Sequence, residues 1–181
     1  MEINDQFFIL TGGPGMGKTA VIAALRERGH ITVPETGRHI IRQQVAAGGH
    51  ALPWDDRAAF AQLMFEQSVA DYQANREQTA PVFFDRGIAD TIGYLELCGL
   101  PVPEDMLRIA RSWRFNKKVF LAPPWQAIYE QDTERKQSFA EAVATCECMI
   151  SIYRRLDYKL IYLPESTVAA RADFIMAAVN T

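Results

Sequence analysis

The segment best suited to chemistry is Gly12–Thr19, which fits the pattern G-x-x-x-x-G-K-[ST]. Glycines allow a loop to turn its backbone N–H groups toward phosphate oxygens without obstruction by side chains. Lys18 can reach the β- and γ-phosphates of a nucleoside triphosphate, and the Thr19 hydroxyl can coordinate the Mg²⁺ that bridges them. An ordinary glycine turn is the alternative. The pattern predicts that nine residues bind the nucleotide: Gly12, Gly13, Pro14, Gly15, Met16, Gly17, Lys18, Thr19 and Ala20.

Asp85 and Arg86 form a second candidate site, because they directly follow the apolar run Val82–Phe84. In open α/β sheets, ligands bind outside the carboxyl ends of the strands, which is where this carboxylate would lie. Asp85 could hold Mg²⁺ through water or accept a proton from a substrate hydroxyl, and the sequence leaves both roles open. Arg86 would direct two parallel donors at a phosphate or a carboxylate. The non-functional alternatives are a helix cap for Asp85 and a solvated loop arginine for Arg86.

Glu35 occupies the corresponding position after the β-branched run Ile31–Val33, and Arg38 follows it by about one helical turn. Both side chains could face the same sheet edge and bind a phosphoryl acceptor. Alternatively, Glu35 stabilises the N-terminus of its own helix and pairs with Arg38 in solvent.

The helix predicted over residues 56–78 has an apolar face that ends in polar side chains at Gln67 and Asp71. These two side chains could bind a substrate, or they could simply mark where the helix leaves the core. Trp54 precedes this helix. It could stack on a ligand ring, but we expect it to fill the core.

The stretch Trp125–Gln137 contains five charged side chains and is predicted to form a lid. Closing such a lid would exclude water and bring a cation onto the transferring γ-phosphate, and Arg135 is the first candidate for that cation. Arg108, Arg111 and Arg114 recur every three residues on another predicted helix. They could bind phosphate, but a solvated helix face is the simpler interpretation.

Five short apolar runs alternate with helix-forming stretches along the chain. The runs cover residues 7–10, 31–33, 82–84, 118–121 and 160–163. Strands separated by helices require crossover connections, so the sheet should be parallel and covered by helices on both faces. The pattern predicts one three-layer α/β/α domain over residues 1–181.

Composition narrows the possible partners. The chain has 181 residues, of which 49% are hydrophobic, and its net charge of −3 favours neither a nucleic acid nor an anionic membrane as a partner. No apolar run reaches the roughly 18 to 20 residues that span a bilayer, and residues 1–5 lack the basic start of a signal peptide, which favours a cytoplasmic protein. The three cysteines lack the paired spacing of a metal site, so we expect reduced thiols, with Cys146 in the core.

Four segments together resemble a family of small predicted P-loop ATPases, AAA_28, which is grouped with the kinase domain of NadR-type nicotinamide riboside kinases. The segments are Thr11–Thr19, Val33–Arg38, Phe83–Gly87 and Asp132–Arg135. The resemblance covers nearly the whole chain. It implies a fold like that of nucleoside and thymidylate kinases, with five parallel strands in the order 2-3-1-4-5.

The resemblance also implies catalytic roles for five side chains: Lys18, Glu35, Asp85, Arg86 and Arg135. The lysine would bind the triphosphate, the carboxylates would act on the acceptor or the metal, and the arginines would stabilise charge. We therefore expect a kinase, monomeric or homodimeric, that uses Mg²⁺ and moves the γ-phosphoryl group of ATP to a small-molecule acceptor. That acceptor would be nucleoside-like or another metabolite.

The main alternative is a regulatory ATPase or GTPase, or a nucleotide-gated binding module, that has no small-molecule acceptor. GTP is possible but less expected than ATP, because the segment Asn116–Val119 lacks the aspartate of an N-K-x-D base-reading motif. A nucleotide-binding protein without turnover is a third possibility.

Overall fold

The computed structural model describes residues 2–129 and 137–180 and has a parallel sheet at its centre. The sheet contains five strands: β1 (Phe7–Gly12), β2 (Ile31–Val33), β3 (Val82–Asp85), β4 (Lys118–Ala122) and β5 (Lys159–Tyr162). Their order is β2-β3-β1-β4-β5, which confirms the predicted topology. Glu2–Ile3 and Trp113–Arg114 form a separate two-stranded pair, which the sequence does not indicate because two residues are too few to show a periodic pattern.

Helices connect consecutive strands, and one more follows β5: α1 (Lys18–Glu27), α2 (Thr36–Ala47), α3 (Arg57–Asn75), α4 (Ile88–Leu97), α5 (Glu104–Ser112), α6 (Phe139–Arg155) and α7 (Val168–Val179). Side-chain caps explain two of the starts. The Asp56 carboxylate accepts a hydrogen bond from the Ala59 amide at 2.9 Å before α3. Ser138 and Glu141 form a reciprocal capping box at α6, so its start is set by local sequence.

Both faces of the sheet are covered, as its continuous apolar strands predict. Along β1, Phe7 and Ile9 belong to a core cluster with residues of α3, α4, α5 and α6. The alternate residues Phe8 and Leu10 belong to a second cluster with α1 and α7. Because successive side chains of a strand point to opposite faces, one buried strand contributes to both layers of the core.

Two individual expectations have different outcomes. Cys146 is buried in α6, as predicted. Trp54 is 56% exposed, so its placement in the core is wrong. In the short segment before α3, the backbone N–H groups of Leu52 and Asp56 both donate to the His50 carbonyl oxygen. The chain folds back there, and Leu52 is buried in place of Trp54.

Over residues 2–129 and 137–180, no helix combines the length and hydropathy that crossing a membrane requires.

Candidate functional site

The loop between β1 and α1 has a shape that only glycine permits at two positions. Gly12 has a φ of +131°, and a Cβ there would lie 2.4 Å from the Ala122 carbonyl oxygen. A Cβ on Gly13 would lie 2.3 Å from the carbonyl oxygen of Ala142. Contacts this short exclude any side chain. The loop is therefore pressed against β4 and α6, and its shape is held by tertiary contacts as well as by its own sequence.

Lys18 is held at the centre of this loop. It is the first residue of α1, its side chain is buried, and its Nζ donates a hydrogen bond to the Gly13 carbonyl oxygen at 2.7 Å. Thr19 and Ala20 follow in the exposed first turn of the helix. The unpaired N–H groups of a helix N-terminus, together with the lysine cation, favour an anion at this position.

Asp85 ends β3 next to the phosphate loop, residues 12–19, because β3 pairs with β1 and places Asp85 opposite Leu10. Its side chain is only 4% exposed, and among the described residues Oδ1 has no hydrogen-bond partner. Burial, together with the charge of Glu35, raises the pKa of Asp85 to about 6, although Lys18 and Arg86 oppose the shift. A carboxylate with this pKa and an uncommitted oxygen can accept a proton near neutral pH.

Arg86 is held in an unusual conformation beside it. Its backbone φ is 76°, which non-glycine residues rarely adopt, and its N–H donates to the Leu10 carbonyl oxygen at 2.9 Å. Its guanidinium forms ion pairs with Glu35 at 3.2 Å and with Asp90 at 3.1 Å. Burial would lower the pKa of Arg86, but the three surrounding carboxylates raise it above its ordinary value, so the side chain stays a cation.

Asp90 is a site residue that the sequence reasoning missed. It accepts hydrogen bonds from Thr11 Oγ1 at 2.6 Å, from Tyr153 OH at 2.5 Å and from the Gly87 amide at 2.8 Å, in addition to the bond from Arg86. The available signal is a carboxylate in the first turn of the largely apolar helix α4. Asp90 thus connects the strand before the phosphate loop to the arginine after β3.

Replacing Asp90 with alanine is expected to reduce the free energy of unfolding by about 3–5 kcal/mol, because Arg86 loses one of its carboxylates and two buried hydroxyl groups lose their acceptor. Urea unfolding measures this change. The matched control is Glu96→Ala on the same helix, whose partner Arg155 is half exposed, and it should change stability by less than about 1 kcal/mol. An equally small effect of Asp90→Ala would contradict the bridging role.

Glu35 faces the same edge from the β2–α2 junction. Its Oε1 pairs with Arg86 and its Oε2 pairs with Arg38 Nε, both at 3.2 Å. The structure thus brings Glu35, Asp85 and Arg86 together with Lys18 at one sheet edge. Arg38 is placed behind Glu35 and does not line the cavity described next.

A cavity of about 840 Å³ opens at this edge, and its walls include Pro14 of the phosphate loop together with Glu35, Asp85 and Arg86. The far walls are largely apolar and come from α3, α4 and α6, with these residues among them: Phe60, Met64, Tyr94, Leu97 and Met149. The exposed Trp54 lies at this cavity too. The volume of the cavity lies in the range of small-molecule binding sites.

The two predicted substrate-binding residues of α3 have different surroundings. Gln67 is exposed and donates to Asp71 at 2.8 Å, while Asp71 also accepts a bond from Thr36 at 3.4 Å. Neither lines the large cavity, whose wall at this part of α3 is formed by Met64 and Ser68. Gln67 lies on the solvent side of the helix, whereas Asp71 is partly buried and lines a separate small pocket that also borders Asp85 and Arg86.

The predicted lid over residues 125–137 is described only at its two ends. A 3₁₀ turn covers Gln126–Ile128, and the Tyr129 hydroxyl donates to the Gln137 carbonyl oxygen. Gln137 lines the cavity. Arg135 lies outside the described residues.

The residues at this edge fit a magnesium ion that is shared with phosphates. In the described part of the chain, no group of three or more His, Cys, Asp or Glu side chains could hold a metal by itself. Mg²⁺ in nucleotide sites typically takes only one or two protein oxygens and completes its shell with phosphates and water. The Thr19 hydroxyl and the unpartnered Oδ1 of Asp85 are suitable oxygens.

Solved structures share this fold at low sequence identity. Deoxyadenosine kinase from M. mycoides has a TM-score of 0.68 and 12% identity, with 96% of this chain and 98% of that chain covered. Shikimate kinase from Acinetobacter baumannii has a TM-score of 0.59 and 16% identity, with coverages of 96% and 92%. NadR in complex with NR has a TM-score of 0.66 and 18% identity, and this chain spans 50% of its length.

The sequence itself identifies the family. No curated protein matches it significantly. The model of the AAA_28 family, described as an AAA domain, matches residues 7–171, from the start of β1 into α7. This range includes the phosphate loop and every acidic and basic side chain of the sheet edge described above. The chain therefore belongs to the AAA_28 family of AAA domains, with the α/β fold of the P-loop kinases.

Proposed function

We propose that this protein is a kinase that transfers the γ-phosphoryl group of ATP to a hydroxyl group of a small molecule. One observation carries the proposal: a cavity of about 840 Å³ adjoins the phosphate loop, with the buried carboxylate of Asp85 in its wall. A protein that only hydrolyses ATP needs room for one water at this position. A cavity of this size instead supports a second substrate.

Different residues of the chain have different roles in the proposed phosphoryl transfer. The loop N–H groups and Lys18 bind the β- and γ-phosphates, and Thr19, with Asp85 through water, would hold Mg²⁺, which neutralises phosphate charge when bound. Asp85 accepts the proton of the attacking hydroxyl. Glu35 is committed to two arginines, so it positions Arg86 and is not available as the base. Arg135 is the proposed cation for the transferring group.

The cavity walls suggest the kind of acceptor. Aromatic and thioether side chains offer flat apolar surfaces for a ring, and the carboxylates at the inner end offer acceptors for hydroxyl groups. The structural neighbours, which include a deoxyadenosine kinase and a shikimate kinase, support a ring-bearing, hydroxyl-containing acceptor. A nucleoside-like compound or another polyhydroxylated metabolite satisfies both conditions.

A screen of nucleosides and other hydroxyl-containing metabolites tests the proposal. We expect one acceptor class to raise ADP release well above the background of the enzyme with Mg·ATP alone, and mass spectrometry to detect the phosphorylated acceptor. Lys18→Ala should abolish the increase. If folded protein that binds ATP formed no phosphorylated product with any acceptor, the kinase proposal would be wrong.

Trp54→Ala is expected to raise the KM for that acceptor by about tenfold and to change the KM for ATP by less than about twofold. The reason is that stacking of a ring on an aromatic side chain contributes about 1–3 kcal/mol, whereas Trp54 is not one of the residues predicted to bind the phosphates. Steady-state kinetics with each substrate varied measures both constants. Val45→Ala is the matched control, since Val45 is an exposed apolar residue that does not line the cavity.

The second candidate is an ATPase without a small-molecule acceptor, which membership of an AAA family favours. The same screen separates the two functions. A regulatory ATPase should release ADP at one rate whatever metabolite is added, and a protein partner would change that rate.

A further inference from the structure

A buried arginine lies beneath the phosphate loop, on the side away from the acceptor cavity. Arg171 belongs to α7, is 2% exposed, and donates from Nη1 to the Met16 carbonyl oxygen at 3.0 Å. The same nitrogen lies 2.9 Å from the position that a Cβ on Gly17 would occupy. The guanidinium therefore contacts the loop directly before Lys18.

The charge of Arg171 is not neutralised within the described residues. No carboxylate there lies within salt-bridge distance of its guanidinium, and its Nε is buried without a hydrogen-bond partner. Burial lowers the pKa of Arg171, and no acidic group raises it. Arg86, which is mostly buried, by contrast pairs with two carboxylates. A buried cation without a counter-charge is unfavourable unless something anionic comes close to it.

The geometry of the loop shows which backbone N–H group the Arg171 cation affects. The Met16–Gly17 peptide is trans, like every peptide bond among the described residues, so its C=O and N–H point in opposite directions. Because the C=O points at Arg171, the Gly17 N–H points away from it, toward the side of the loop that the pattern assigns to phosphate. A cation on a carbonyl oxygen polarises the peptide and strengthens the opposite N–H as a donor.

We propose that Arg171 is a positioning residue of the nucleotide site: it orients and polarises the Met16–Gly17 peptide, and the bound triphosphate supplies the counter-charge that the fold withholds. This inference rests on the proposed binding of ATP. It assigns a role in the nucleotide site to α7, which contributes nothing to the G-x-x-x-x-G-K-[ST] pattern itself. If so, Arg171 stabilises the nucleotide-bound protein more than it stabilises the free protein.

The test compares Mg·ATP affinity with stability in the absence of nucleotide. Calorimetric titration of the full chain should show affinity reduced about tenfold or more in Arg171→Met, and by a smaller factor in Arg171→Lys, which keeps the charge but loses the planar fork. Thermal unfolding without nucleotide should give a Tm equal to or above that of the parent, because removing an uncompensated buried charge offsets the lost hydrogen bond.

Arg28→Met is the matched control. Arg28 also connects α1 to α7, but its partner is the exposed Asp173 at 2.7 Å, so ATP affinity should change by less than about twofold. Parent-like ATP affinity in Arg171→Met would overturn the inference and leave the kinase proposal intact. A Tm lowered by more than about 6 °C in both Arg171 variants would also overturn it, since the residue would then stabilise the fold itself. Failure of the parent to bind ATP would instead remove the proposed function.

Discussion

Lys18→Ala should reduce the affinity for Mg·ATP by about a hundredfold. The lysine ammonium is buried at the centre of the loop, where a charge-assisted contact with phosphate contributes about 1.5–3 kcal/mol, and its loss also leaves the phosphates without their nearest cation. Calorimetric titration with Mg·ATP measures the loss. In the free protein the Lys18 ammonium donates hydrogen bonds to the carbonyl oxygens of Gly12 and Gly13, so urea unfolding without nucleotide should accompany the titration to show that the variant is folded.

The matched control is Lys159→Ala at the start of β5, an exposed lysine outside the loop, for which parent-like affinity is expected. Equal ATP binding by the parent and Lys18→Ala would show that the nucleotide site is assigned to the wrong residues. A second consequence involves Asp85, whose pKa is held down in part by Lys18. Removing Lys18 should therefore move any titration of Asp85 to higher pH.

Asp85→Asn is expected to lower kcat by about 10²–10⁴-fold while leaving ATP affinity within about threefold of the parent. The amide has nearly the shape of the carboxylate but cannot accept the hydroxyl proton. Steady-state kinetics with the acceptor from the metabolite screen, together with calorimetric ATP titration, measures the two effects. Since Asp85 must be ionised to act, kcat/KM of the parent should fall about tenfold per pH unit below about pH 6.

The two roles proposed for Asp85, proton acceptor and magnesium ligand through water, make different predictions about magnesium. If Asp85 is chiefly the base, Asp85→Asn keeps the parent's Mg²⁺ concentration for half-maximal rate. If it chiefly holds the metal through water, that concentration rises and extra Mg²⁺ restores part of the rate. Undiminished kcat at saturating Mg²⁺ would remove Asp85 from the mechanism altogether.

The same substitution should stabilise the protein at neutral pH. The folded-state pKa of Asp85, about 6, lies above its ordinary value of 3.8, so the folded state binds the extra proton between these pH values. Stability contributed by this group therefore falls as pH rises from about 4 to about 6, and the ionised carboxylate costs about 3 kcal/mol above that window. Urea unfolding of Asp85→Asn should show a gain at pH 8 that disappears toward pH 4. A constant difference across this range would contradict the raised pKa.

Several features of this protein follow from local sequence, because short-range patterns are sufficient to specify them. The phosphate loop needs only its glycines, its lysine and the flanking strand and helix. The five strands are continuous apolar runs, and their alternation with helices implies a parallel sheet covered on both faces. Helix starts follow from capping side chains such as Asp56 and Ser138. The sheet edge that brings Asp85 and Glu35 close together is a consequence of the same topology.

Other features depend on residues that are far apart in sequence, so only the tertiary structure decided them. The sequence leaves open whether Arg86 is solvated or lies in the site. The structure decides this, because Glu35 and Asp90 both form ion pairs with it. Trp54 has a large aromatic side chain of the kind that usually fills a core, yet Leu52 is the buried residue and Trp54 lies at the cavity. Gln67 is exposed, whereas Asp71 borders a small pocket beside Asp85 and Arg86, because packing sets which side chains of α3 face the sheet.

Arg171 is the clearest example of a residue whose surroundings the sequence alone does not reveal. It stands 153 residues after Lys18 and in an ordinary helical sequence, so no local pattern relates it to the phosphate loop. Packing of α7 against α1 places its guanidinium on the Met16 carbonyl oxygen. The sequence alone predicted where a nucleotide's phosphates would bind. The tertiary structure decided which distant charges lie at that loop and how large a cavity adjoins it, because both depend on how the layers pack against the sheet.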